Sequence, residues 1–114
     1  MKLDRNLEEN EGRGKYAILK LRQLELCREQ TTFGGFTPRI QAAISVLEEN
    51  GILDWGTVGT DSEFFLIRLK DKYALPALEA YAAAAEEDDF EWATEVRELA
   101  KRSGPYSQWC KKPD

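Results

Sequence analysis

Two stretches decide how this chain reads: Tyr16-Ala17-Ile18-Leu19-Lys20-Leu21-Arg22 and Phe64-Phe65-Leu66-Ile67-Arg68-Leu69-Lys70. Laid over each other, both run aromatic, apolar, aliphatic, aliphatic, basic, Leu, basic. In the first, Tyr16, Ile18 and Lys20 alternate with Ala17, Leu19 and Leu21, which gives one apolar face and one mixed face. Such alternation, bounded by Gly, Thr, Ser and charged residues, is the pattern of a β-strand. The likeness has two readings. It is either a duplicated recognition strand presenting Lys20 and Arg68 on one face, or convergence of two central strands that meet similar surroundings. So short a match carries little information, and the second reading is preferred. Both stretches are then expected mid-sheet, paired with each other or with Ile52-Leu53-Asp54-Trp55.

The rest reads mainly as helix and turn. Thr37 suits an N-cap, and Pro38 fits the first helical position, where its missing N–H is not needed. Ile40, Ala43, Ile44 and Leu47 recur at helical spacing, and Asn50-Gly51 supplies a left-handed stop. A helix is predicted over 38–50. Gly56 to Ser62 turns the chain. Asp71 ends the second strand, and Pro76 puts the start of the next helix within 72–76, because inside a helix it would remove a hydrogen bond. That helix is predicted over 73–87, with Leu75, Leu78, Tyr81, Ala82 and Ala85 as its apolar stripe. Asp88 or Asp89 caps a last helix, 89–103, lined by Trp92, Val96 and Leu99 and stopped by Ser103-Gly104-Pro105. Gln23 to Gln30 fits a short helix or irregular chain, and the paired glycines in Thr31 to Phe36 mark a loop. The predicted fold is α+β: a three-stranded, mainly antiparallel sheet (15–22, 52–55, 63–70) packed with three helices. Residues 1–114 are expected to form one domain, with 1–14 a polar arm and 105–114 a coil tail.

Composition sets limits on function. A chain of 114 residues with 42% hydrophobic content can bury one core, which argues against disorder along its length. The formal charge of −5 disfavours nucleic acid, because affinity for it comes largely from Lys and Arg neutralising phosphates. No histidine is present, which removes the usual general base near neutral pH, any Ser-His-Asp or Cys-His arrangement, and the commonest metal ligand. Cys27 and Cys110 lie far apart and outside any Cys-x-x-Cys pair, so reduced thiols in a cytoplasmic protein are expected rather than a zinc site. Met1-Lys2-Leu3-Asp4-Arg5 lacks the pattern of a signal peptide, and no apolar run approaches the length of a membrane span. No cofactor, metal or enzymatic activity is expected.

Several features invite a functional reading. The acids Glu86, Glu87, Asp88, Asp89 and Glu91 lack the spaced oxygens and glycine of a calcium loop and read as solvated caps at a helix junction. Gly12-Arg13-Gly14-Lys15 precedes a strand rather than following one, which is the wrong context for a phosphate loop. It still sets Arg13 and Lys15 where a small anion could be held. Trp109 shares its tail with Tyr106, Lys111 and Lys112, a mixture of aromatic and basic groups suited to a partner surface. Helix 38–50 followed by 52–55, a turn and 63–70 also matches the helix and hairpin of a winged helix. The tip of that wing, Gly56 to Ser62, has no Lys or Arg, and the helix would offer DNA only Arg39 and Gln41.

Gly12-Arg13-Gly14-Lys15-Tyr16, Leu53-Asp54-Trp55-Gly56, Glu63-Phe64-Phe65, Lys70-Asp71-Lys72-Tyr73 and Cys110-Lys111-Lys112-Pro113-Asp114 together resemble small uncharacterised proteins encoded by bacteriophages and prophages. Many small acidic phage proteins bind and block a host macromolecule, so the resemblance implies an interaction protein. The expectation is a non-enzymatic, intracellular protein-binding module, possible as a homodimer. Its candidate contact residues are Arg13, Lys15, Lys20, Arg68, Tyr106, Trp109, Lys111 and Lys112. The alternatives are a winged-helix nucleic-acid binder and a small-anion-sequestering protein.

Overall fold

The computed structural model describes residues 12–20 and 38–112. Expectations that rest on Leu21, Arg22, Cys27, the 23–36 stretch, Thr37, Pro113, Asp114 and most of the 1–14 arm lie outside these. The described residues fall into two compact units, one within Ile18–Phe65 and one drawn from Met1–Ala17 and Leu66–Asp114.

The unit within Ile18–Phe65 contains α1, Pro38–Glu49. Ile44 is its buried residue. The helix ends as Asn50-Gly51 predicts. Gly51 takes φ +67°, its N–H donates to Glu48 O at 3.1 Å, and Ile52 N–H reaches back to Leu47 O at 2.9 Å. This pair of bonds is a Schellman stop, which satisfies carbonyls the last turn would leave orphaned. Leu53 N–H also donates to Leu47 O, and Gly56 N–H to Asp54 Oδ1.

The other unit is built on two helices, α2 (Ala74–Ala85) and α3 (Phe90–Ala100), joined by the four residues Glu86 to Asp89. Asp71 Oδ1 accepts from Tyr73 N–H and sets up the start of α2. Pro76 falls in its first turn, where no intrahelical N–H is required, so the helix accepts it. Asp89 caps α3 by accepting from Trp92 N–H at 3.0 Å, with Glu91 in the first turn and Arg97 in the last, each favourable to the helix dipole. The contact between α2 and α3 has small residues at its centre. Ala82, Ala93 and Val96 are buried at its centre, with Leu78, Ala85 and Trp92 packed around them. Trp92 Nε1 donates to Tyr81 Oη at 3.1 Å.

Beyond α3 the chain turns through a 3-10 helix, Gly104–Tyr106, and comes back to the start of α2. Gly104 N–H donates to Leu69 O at 2.7 Å, Lys111 N–H to Lys70 O at 2.9 Å, and Lys72 N–H to Lys111 O at 2.8 Å. The last two form an isolated parallel bridge between Asp71 and Lys111. Gly104 is buried at φ +53°, and a Cβ there would stand 3.1 Å from Leu75 Cβ and 3.3 Å from Lys72 O.

The α+β expectation is corrected here. Among the described residues there are three α-helices and no β-strand, so no three-stranded sheet exists over 15–20, 52–55 and 63–70. The reason is where the backbone hydrogen bonds go. Ile52 and Leu53 spend their N–H groups closing α1, and Arg68, Leu69 and Lys70 give their carbonyls to Asp71, Gly104 and Lys111. Phe64 to Ile67 and Tyr16 to Leu19 therefore have strand-like composition but belong to no strand among the described residues. The hairpin that a winged helix requires is absent for the same reason. The helices themselves lie within the predicted spans 38–50, 73–87 and 89–103.

Two substitutions test this packing. Gly104→Ala puts a side chain into a left-handed conformation against Leu75 and is expected to lower stability by about 1–3 kcal/mol. Ala93→Leu overfills the helix contact and is expected to cost about 1–3 kcal/mol. Urea unfolding followed by helical circular dichroism reads both, and a neutral result for either contradicts the packing described.

Candidate partner-binding surface

The returning tail builds a groove at the open end of the α2–α3 hairpin, opposite the Glu86 to Asp89 loop. It encloses about 440 Å³ between Leu69, Lys70, Arg102, Tyr106, Ser107, Gln108 and Trp109. Its walls are held by backbone bonds rather than by a large core. The Leu69–Gly104 and Lys70–Lys111 bonds place the 69–70 segment alongside the tail. Cys110 N–H donates to Ser107 O at 3.1 Å and Trp109 N–H to Ser107 Oγ at 3.2 Å, which curls the tail and presents Trp109. Buried Ser103 donates its hydroxyl to Ala100 O at 2.7 Å and ends α3 just before the turn.

The groove is cationic and aromatic. Lys70 and Arg102 contribute charge, no carboxylate lines it, and Tyr106 and Trp109 remain 67% and 68% exposed despite their size. Rings this exposed on a small unit bury their faces only when something covers them. Lys70 and Lys112 have no ion pair among the described residues.

A second depression of about 460 Å³ shares the Tyr106 wall and is lined by Leu75, Glu79, Arg97, Ala100 and Lys101. Its cations are already engaged: Arg97 pairs with Glu86 at 3.1 Å and Lys101 with Glu98 at 2.8 Å. These pairs are exposed, so each contributes little stability. Glu79 also lines this depression, whereas no carboxylate lines the first groove.

The residues singled out by sequence distribute unevenly. Tyr106 and Trp109 line the groove. Lys111 anchors its base through the backbone, and exposed Lys112 follows it directly. Arg68 is exposed and adjoins Leu69. Arg13 and Lys15 are exposed and belong to the same unit, whereas Lys20 belongs to the other. Neither Lys20 nor Arg68 lies in a strand, so the shared strand face expected of them is not formed among the described residues. Sequence reasoning missed Leu69, Lys70 and Arg102. The basic pair Lys101-Arg102 just before the Gly-Pro stop was the available signal for Arg102, and nothing local pointed to Leu69 or Lys70.

Among the described residues no group of three or more His, Cys, Asp or Glu side chains is arranged to hold a metal ion, and no helix is long and apolar enough to cross a membrane. Comparisons with known protein families, with curated proteins and with solved structures find no match to this chain.

Proposed function

We propose that this chain is a non-enzymatic, cytoplasmic protein-binding module that takes an acidic partner segment carrying an aromatic residue into the groove between Lys70, Arg102, Tyr106 and Trp109. One observation carries the reading: the groove combines two exposed aromatic rings with cations and no carboxylate, on a chain whose net charge is −5. Aromatic and Arg side chains grouped in this way are typical anchors of protein interfaces. Opposite charge on the partner speeds encounter and fixes its register. A phage-type inhibitor of a host macromolecule would use such a surface by occupying the host protein's own acidic contact.

Single-stranded nucleic acid is the second reading, favoured by the same rings, which offer a stacking platform beside cations. The acidic net charge works against it.

The test is fluorescence anisotropy with a labelled acidic hexapeptide holding one central phenylalanine, alongside an oligothymidine of similar length. The peptide is expected to bind, to weaken as salt rises, and to lose about tenfold or more in affinity on Trp109→Ala, as an interface anchor does. Tighter binding of the oligothymidine, or peptide binding indifferent to Trp109→Ala, overturns the proposal.

A further inference from the structure

The α2–α3 hairpin is charged oppositely at its two ends. At the loop end Glu87, Asp88 and Glu91 are exposed and without an ion pair among the described residues, and beside them Phe90 is 67% exposed. Their neighbours are engaged, Glu86 with Arg97 and Asp89 with the start of α3. At the open end stand Arg68, Lys70 and Lys112, also without ion pairs among the described residues. Lys70 lines the aromatic groove, Arg68 adjoins its Leu69 wall in sequence, and Lys112 follows the bridged Lys111. The loop therefore offers what the groove accepts: acids flanking an exposed ring.

The loop cannot reach the groove of its own copy. The two ends are separated by α2, whose 12 residues span about 18 Å at the usual helical rise of about 1.5 Å per residue. A second copy laid antiparallel has no such obstacle. The two-fold operation that sets one loop in the other copy's groove sets the reciprocal pair at the same time, so the contact closes at two copies. The flank of α2 that lies between the poles suits this. Pro76, Ala80, Ala83 and Ala84 are exposed and uncharged, so two hairpins can lie side by side without burying a charge along that stripe.

We infer that the groove's occupant is the Glu87–Glu91 loop of a second copy of this chain, in a closed, salt-sensitive antiparallel dimer. The inference rests on the reading of the groove as a dock for acidic, aromatic segments. In such a dimer both grooves are filled, so an outside partner of the same chemistry binds by displacing a copy.

The experiment is light scattering on the full chain across concentration and salt, with two charge-reversed forms. Lys70→Glu with Lys112→Glu reverses the groove, and Glu87→Lys with Asp88→Lys reverses the loop. Glu87, Asp88 and Lys112 are exposed and Lys70 is half-buried, and helical circular dichroism confirms that each form folds. The parent chain is expected at twice the monomer mass at low salt and at monomer mass in high salt. Each reversed form alone is expected as a monomer, and an equimolar mixture is expected to recover the dimer, because opposite charges meet at both contacts. A parent that stays monomeric at high concentration and low salt overturns the inference. So do reversed forms that dimerise as the parent does, or a mass that climbs past two copies. If the parent is monomeric yet the acidic hexapeptide binds, the dimer alone falls and the docking groove stands. If neither associates, both fall.

Discussion

The close approach of α2 and α3 through alanine is the contact on which the groove depends. Ala82 and Ala93 are fully buried where the helices meet, and Ala74 and Ala100 are buried nearer the open end. Small side chains at the centre of a helix contact favour a close approach of the two axes. The end of α3 comes beside the start of α2, where Gly104 lies against Leu75 and Lys72. A bulkier contact would hold the two ends apart and leave the tail without a place to return to.

Alanine contacts bury little apolar area, so local polar bonds have to carry much of the hairpin's definition. The Asp71 and Asp89 turns fix where each helix begins, and the Ser103 hydroxyl fixes where α3 ends. The Gly104–Leu69, Lys111–Lys70 and Lys72–Lys111 bonds then fasten the tail. Each such bond contributes about 0.5–1.5 kcal/mol net, and together they position Tyr106 and Trp109 on a frame that has little core beneath it. The groove and the stability of this end are therefore coupled: what holds the tail also forms the walls of the groove.

The helices were legible in the sequence because their signals are local. Pro38, Asn50-Gly51, Asp89 and Ser103-Gly104-Pro105 each act on the backbone within a few residues. The sheet was misread because a strand is a relation between two segments, and composition describes only one of them. Phe64 to Leu69 has strand-like side chains, but its intended neighbour at Ile52 and Leu53 is bonded to Leu47, and its own last carbonyls are bonded to the tail. The site was legible in part for the same reason. Tyr106 and Trp109 announced themselves as aromatics in a basic tail, whereas Leu69 and Lys70 join them through backbone bonds to residues more than thirty positions along the chain.

The most direct test of this account is amide hydrogen exchange read residue by residue. If the hairpin is the ordered frame and Phe64 to Ile67 joins no hydrogen-bonded ladder, as among the described residues, the amides within α2 and α3, along with Gly104 and Lys111, will be protected. Those of Phe64, Phe65, Leu66 and Ile67 will exchange close to the rate of an unstructured chain. Protection across Phe64 to Ile67 comparable to that of α3 would mean that these residues lie in a hydrogen-bonded ladder, and would contradict the helical account.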